Sequence, residues 1–207
     1  MLVKPHDRPL AWRFAAVAAI GAIAAGANAQ DPSRAAADAM HAKLARIEEA
    51  AESRRAATLP PLRTTFSEQE INAYLEHYGE SFVPAGIAKP RATLSGEGRV
   101  VTRAIVDLDA VRLARERSLL DPLAYLQGSV DVVATGTIAG ADGRGVIRFE
   151  SATVAGVAVP KTVAQELLRF YTRTPERPGG FQFDEPFPLP ARVRSVNAER
   201  GTITVAQ

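Results

Sequence analysis

The sequence predicts an α+β fold in which a curved antiparallel β-meander wraps around helices and follows an N-terminal helix. Residues 129–138 and 146–154 alternate apolar and polar side chains with a period of two, which is typical of half-buried antiparallel strands. Between them, Gly140-Ala-Asp-Gly143 contains an Asp-Gly pair that favours positive φ. A helix is predicted at 160–171, where apolar residues recur at helical spacing. Each apolar surface needs a partner, so we expect this sheet to pack on this helix.

The first 29 residues have the features of a secretory signal peptide. Lys4, Arg8 and Arg13 form a positively charged start, residues 14–27 are apolar or small, and Ala27-Asn-Ala29 is an A-x-A cleavage motif. The apolar run is shorter than the roughly 20 residues that span a membrane. We therefore expect cleavage after this motif and a protein that is periplasmic or secreted.

The charge of the chain is nearly balanced, with 25 basic and 23 acidic residues. The signal segment holds Lys4, Arg8 and Arg13 against Asp7, so the remaining chain has equal numbers of both signs. This balance gives no support for nucleic-acid binding. The chain has no cysteine, which excludes disulfides and thiolate metal sites. Export without disulfides fits a bacterial envelope compartment.

After the signal peptide, residues 30–61 are predicted to form a helix and a proline linker, and residues 62–207 a single domain. The helix carries a narrow apolar stripe of Met40, Leu44, Ile47 and Ala51. Such a stripe is consistent with a helix lying on the domain and with a helical arm for self-association.

The best helix start in the chain is at residue 67. Ser67 and Glu70 form a capping box, Phe66 and Ile71 form a hydrophobic staple, and Gly79 is the expected end of the helix. One face of this helix carries Ile71, Tyr74, Leu75 and Tyr78.

Alternating patterns elsewhere in the chain predict further strands, so we expect a sheet of six or seven strands in total. A hairpin is predicted from residues 91–95 and 99–109, and a helix from residues 110–120. A last hairpin is predicted from residues 192–198 and 202–206.

Candidate polar sites are few. His41 and His77 have no neighbours that complete a metal-binding set, so we expect no metal and no cofactor. Arg169 and Arg173, on the predicted helix at 160–171 and its exit, are spaced i, i+4 and are expected to share a face. They could hold a phosphate, because arginine binds phosphate in a bidentate way. A solvated helix face explains the same pair.

Four motifs together resemble a known family. They are Phe66-Ser-Glu-Gln-Glu-Ile-Asn-Ala-Tyr-Leu75, Gly156-Val-Ala-Val-Pro160, Leu189-Pro-x-x-Val193-x-x-Val196 and Gly201-x-Ile-x-Val205. Over residues 62–207 the chain resembles bacterial envelope proteins of the LmeA and YceB kind, which look like tubular lipid-binding (TULIP-like) domains. The departures are the alanine-rich helix at 32–57, Ala158 where the family often has proline, and the absence of a lipoprotein cysteine.

The resemblance implies an exported, non-enzymatic protein that holds the acyl chains of a phospholipid or another lipid in an apolar groove. It also implies peripheral contact with a membrane and no catalytic residues. We expect the groove to be lined by Ile71, Leu75, Tyr78, Val163, Leu167, Phe170, Tyr171, Phe181, Phe183 and Phe187. We expect Arg169 and Arg173 at the lipid headgroup. An ordinary dry core explains the same apolar residues, and a periplasmic scaffold protein that acts through the N-terminal helix is the alternative function.

Overall fold

The structure is a computed structural model of the chain, and it describes residues 34–52, 62–84, 86–107, 109, 128–173 and 177–207. Within these residues the fold is α+β: nine strands form one antiparallel sheet, and three α-helices accompany it. The predicted signal peptide and the helix predicted at 110–120 lie outside the described residues.

The helices are α1 (Arg34–Glu52), α2 (Glu68–Tyr78) and α3 (Lys161–Tyr171), and a 3₁₀ turn covers Gly79–Ser81. The strands are β1 (Arg63–Ser67), β2 (Ile87–Gly96), β3 (Arg99–Asp107), β4 (Ser129–Ala141), β5 (Arg144–Val154), β6 (Val157–Ala158), β7 (Phe187–Pro188), β8 (Ser195–Glu199) and β9 (Thr202–Ala206). The helices predicted at 67–78 and 160–171 are confirmed, as are the three predicted hairpins. Strands β1, β6 and β7 were not predicted.

The order of the strands departs from the predicted meander. The sheet runs β1-β9-β8-β4-β3-β2, and β5 pairs with the other edge of β4. Strand β4 pairs first with β3, from Ser129 to Thr137, and then with β8 at Ala139 and Gly140. Strand β1, the first in the chain, pairs with β9, the last in the chain. Local sequence patterns do not report such a pairing, because the two strands are at opposite ends of the domain.

Two features of the central hairpin depend on backbone geometry. The turn between β4 and β5 has positive φ at Asp142 (51°) and Gly143 (75°), which confirms the predicted Asp-Gly turn. Farther along, the register shifts beside Gly136, where a Cβ atom would lie 2.5 Å from the carbonyl oxygen of Arg148. Only glycine allows this close approach, so the bulge depends on Gly136.

The start of α2 is the predicted capping box. The Ser67 hydroxyl accepts a hydrogen bond from the Glu70 amide at 3.1 Å, and the Glu70 carboxylate accepts one from the Ser67 amide at 2.8 Å. The predicted end of the helix differs in detail. Gly79 has φ −60°, and the chain continues into the 3₁₀ turn instead of stopping at a left-handed glycine.

Helix α1 is docked on the domain. Met40 and Ile47, 3 % and 7 % exposed, belong to the same core as Phe66 and Ile71. The Lys43 ammonium donates to the Glu70 carboxylate at 2.6 Å and so connects α1 with the start of α2. The apolar stripe of α1 therefore faces the protein's own core at Met40, Leu44 and Ile47. The scaffold alternative stays a prediction.

Candidate functional site

Helix α2 lies along the free edge of β2. The Asn72 side chain donates to the Ala92 carbonyl at 2.8 Å and accepts from the Ala92 amide at 2.7 Å. The Glu68 carboxylate accepts from the Leu94 amide at 2.7 Å. These side chains satisfy backbone groups that an edge strand would otherwise expose, so α2 closes this side of the sheet.

Strands β2, β3, β4 and β5 are neighbours in that order, with α2 beside β2. Helix α3 and the residues on either side of it lie along β5, at the other end of this row of strands. The Val159 amide donates to the Ala152 carbonyl at 2.8 Å, just before the helix begins. After the helix, the Asp184 amide donates to the Ile147 carbonyl at 2.8 Å. Pro160 is the N-cap residue of α3, so the helix begins one residue later than predicted.

The segment 177–185, which we call the strap, binds the polar face of α3. The Gln165 amide group donates to the Phe181 carbonyl at 3.1 Å and accepts from the Phe183 amide at 2.8 Å. The Thr172 hydroxyl accepts from the Phe181 amide at 2.7 Å, and Lys161 pairs with Asp184. The polar face of α3 is thus turned toward the strap.

The apolar stripe of α3 consequently lies on another face of the helix. Val163 is 49 % exposed and Leu167 is half-buried, whereas the adjacent Leu168 packs against the core. An amphipathic helix normally buries its apolar stripe. In the first two turns of α3, the apolar stripe stays partly exposed to solvent.

The sheet face that carries the core also carries an apolar band, which we define as Ile87, Val106, Val130, Val132 and Val154. Residues directly opposite each other in paired strands project from the same face. Ile87, Val106 and Val130 form one row across β2, β3 and β4, and Val132 and Val154 form part of the next. All five are half-buried.

The apolar band crosses four strands between α2 at one side and α3 at the other. Three interstrand spacings of about 4.8 Å give it a width of about 14 Å. The band consists entirely of aliphatic side chains. Its surface suits an apolar ligand that lies across the strands.

The predicted groove residues have very different exposures. Ile71, Leu75, Phe181 and Phe187 are buried, at 1 %, 4 %, 8 % and 4 % exposure. Tyr78, Leu167 and Phe183 are half-buried and Val163 is exposed. Phe170 and Tyr171 belong to α3, but their side chains lie outside the described part of the structure.

Phe181, Phe183 and Phe187 lie in a segment rich in proline and glycine, which predicts an exposed apolar cluster at one end of the groove. The structure differs from this expectation. Phe181 and Phe187 pack edge to face with ring centroids 4.8 Å apart, and Phe183 contacts Phe149 of β5 at 5.1 Å. The expectation of exposure is therefore wrong for Phe181 and Phe187, which lie in the core. The groove role of all ten residues stays a prediction.

Tyr78 holds α1 against α2. Its hydroxyl donates to the Asp38 carboxylate at 2.6 Å, and its ring stacks on His41 with centroids 4.8 Å apart. This hydrogen bond lowers the pKa of Asp38 and raises the pKa of Tyr78. The contacts explain the position of Tyr78 without a ligand.

The two candidate headgroup residues lie at the C-terminal end of α3. Arg169 contacts Glu166 at 3.2 Å and donates to the Gly179 carbonyl at 3.4 Å. Arg173 is exposed and lies beyond the last helical residue, Tyr171, so the two arginines do not share a helix face as predicted. Their role at a headgroup stays a prediction.

The apolar band was absent from the predicted site residues. The alternation in residues 99–107 and 129–138 predicts the face of each valine there correctly, but it does not show which part of that face is covered. Coverage depends on where α2 and α3 dock, and those helices are distant from β3 and β4 in sequence.

Comparison with known proteins gives no assignment. No family model, no curated protein and no solved structure matches the chain. Among the residues that the structure describes, no group of three or more histidine, aspartate or glutamate side chains could hold a metal ion. In the same residues, no helix has both the length and the apolar character needed to cross a membrane.

Proposed function

We propose that the protein is an exported, non-enzymatic lipid-binding protein of the bacterial cell envelope, which holds acyl chains on the apolar band. The observation that carries the proposal is the half-buried state of five adjoining aliphatic residues on the sheet face that elsewhere carries the buried residues Leu94, Val100 and Ile138. An acyl chain laid across them would remove their remaining apolar surface from water, at about 25 cal/mol per Å². The TULIP-like relationship is part of the same proposal.

In this arrangement the predicted groove residues have two roles. Val163 and Leu167, on the open stripe of α3, contact the acyl chain beside the band. The buried residues Ile71, Leu75 and Phe181 support the helices and the strap from below. Arg169 and Arg173 are the proposed contacts of a phosphate headgroup, at the far end of α3.

The test is a pair of substitutions at adjacent residues of β4. Val132 lies in the apolar band, and Val133 is equally half-buried on the opposite face, paired with Arg103. We expect Val132→Glu to lose binding of a fluorescent fatty acid by about tenfold or more, because a carboxylate would be desolvated by the chain. We expect Val133→Glu to bind like the wild type.

A second pair on α3 separates an open groove from solid core. Leu167→Glu should remain folded and lose binding, because the charge can reach an open surface. Leu168→Glu should destabilise the domain by several kcal/mol, because Leu168 packs on the core. Circular dichroism melts accompany the binding assay. If Leu167→Glu and Val132→Glu both unfold the protein, these positions are dry core and the proposal fails.

A further inference from the structure

The hairpin between β5 and β6 has an unusual turn. Among the described residues, four tight hairpin turns contain a glycine at positive φ, and three of them place a charged residue before it: Glu97-Gly98, Asp142-Gly143 and Arg200-Gly201. The fourth is Ala155-Gly156, with Ala155 at φ 50°. Asparagine and aspartate tolerate this conformation best, and alanine gains no hydrogen bond in return. The turn thus adopts a disfavoured conformation without a polar side chain.

The residues around this turn are apolar and exposed. Val157 is 70 % exposed and Val163, at the start of α3, is 49 % exposed. Ala155, Ala158 and Pro160 are exposed as well. A Cβ atom added to Gly156 would meet nothing within 4 Å, so the turn projects into open space. We call residues 155–158 together with Val163 the apolar tip.

The apolar tip is continuous with the apolar band. Val154, the last residue of β5, is a member of the band and pairs directly with Val157 of the tip. An acyl chain that moves between a bilayer and the band can therefore pass along apolar surface at this end of the sheet. The tip lies at the end of β5 opposite to the Asp142 turn.

We propose that the apolar tip is the surface that contacts a phospholipid bilayer, and that the bilayer is zwitterionic. This inference rests on the proposed lipid function. Among the described residues, the charged side chains that flank the tip are paired, Asp131 with Arg103 at 3.3 Å and Lys161 with Asp184, which favours a neutral bilayer over anionic lipid. A protein partner fits less well, because a stable protein interface buries about 800 Å² on each side. A small convex turn offers far less, whereas a bilayer accepts single apolar side chains.

The experiment uses fluorophores placed on single cysteines, which is site-specific because the chain contains no cysteine. Val157→Cys reports on the tip, and Asp142→Cys reports on the exposed turn at the other end of β5. An environment-sensitive dye is attached to each variant of the full chain, and phosphatidylcholine vesicles are added. We expect a blue shift and increased emission at position 157 and no change at position 142. The response should persist in high salt.

Several results would overturn the inference: no response at position 157, an equal response at position 142, or a response that needs anionic lipid or disappears in salt. A response that follows protein concentration without vesicles would indicate a second copy of the chain and would also overturn it. A parallel variant, Val157→Asp, should weaken vesicle binding about tenfold and leave binding of monomeric fluorescent fatty acid unchanged. Fatty-acid binding without a vesicle response at the tip would refute this inference alone. Absence of fatty-acid binding would refute the proposed function.

Discussion

At the residue scale, Glu70 links local helix capping to tertiary structure. Its carboxylate accepts from the Ser67 amide, completes the cap of α2 and binds the Lys43 ammonium of α1. Burial alone would raise the pKa of Glu70, but the hydrogen bonds from Lys43 and Ser67 outweigh burial and lower it. One side chain therefore stabilises both the start of a helix and the docking of another.

A lowered pKa makes the contribution of Glu70 depend on pH. The ionised form is favoured in the folded state, so its stabilisation is complete above the ordinary pKa of 4.5 and is lost as the pH falls through the lower folded value. We expect Glu70→Gln to lower the free energy of unfolding by about 1–2 kcal/mol at pH 7, and the difference from the wild type to shrink below pH 4.5. Urea unfolding at several pH values measures this. Glu76→Gln, in a partly exposed pair with Arg91, should change stability by less than about 0.5 kcal/mol.

The second prediction at the residue scale concerns Gly179 and Gly180, two adjacent glycines of the strap. Gly180 has φ +66°, and a Cβ atom there would lie 2.2 Å from the Arg169 carbonyl oxygen, whereas a Cβ atom on Gly179 would meet nothing. We expect Gly180→Ala to destabilise the protein by about 3 kcal/mol, because the strap must move away from α3. Gly179→Ala should be nearly neutral. Equal thermal stabilities of the two variants would show that the strap does not press on α3.

At the element scale, the elements that sequence predicts well are those defined by neighbouring residues. The capping box of α2 and the Asp142-Gly143 turn are local, and both are present as predicted. Strand β1 was missed because its five residues directly precede α2 and gain their partner only from β9. The strap was missed because Gln165 looks like a solvated residue of α3 until the Phe181–Phe183 backbone lies against it.

Helix α1 allows a test of the scaffold alternative. Ile47 is 7 % exposed in the core, and the neighbouring Arg46 is exposed. We expect Ile47→Ala to lower the free energy of unfolding by about 2–4 kcal/mol, because it leaves a cavity, and Arg46→Ala to have little effect. Chemical denaturation measures both. If Ile47→Ala left stability unchanged but disrupted an oligomer, α1 would serve a partner and not the core.

At the scale of the whole molecule, the sequence predicted the α+β class, the apolar faces of β3 and β4 and the three helices that the structure describes. It did not predict the distribution of burial across that face. Val100 is 5 % exposed on β3, whereas Val106, on the same face of the same strand, is half-buried. Both have the same alternation in sequence, because period-two patterning reports the side of the sheet and not what covers it. The candidate site depends on that coverage.

Native mass spectrometry tests the lipid-binding claim most directly. The full chain is expressed in bacteria, purified without detergent and compared with Val132→Glu and Val133→Glu. We predict that the wild type and Val133→Glu carry an additional mass that solvent extraction identifies as a phospholipid or fatty acid, and that Val132→Glu does not. A folded wild-type protein with only the mass of its own chain, or an adduct that survives Val132→Glu undiminished, would contradict lipid binding on the apolar band.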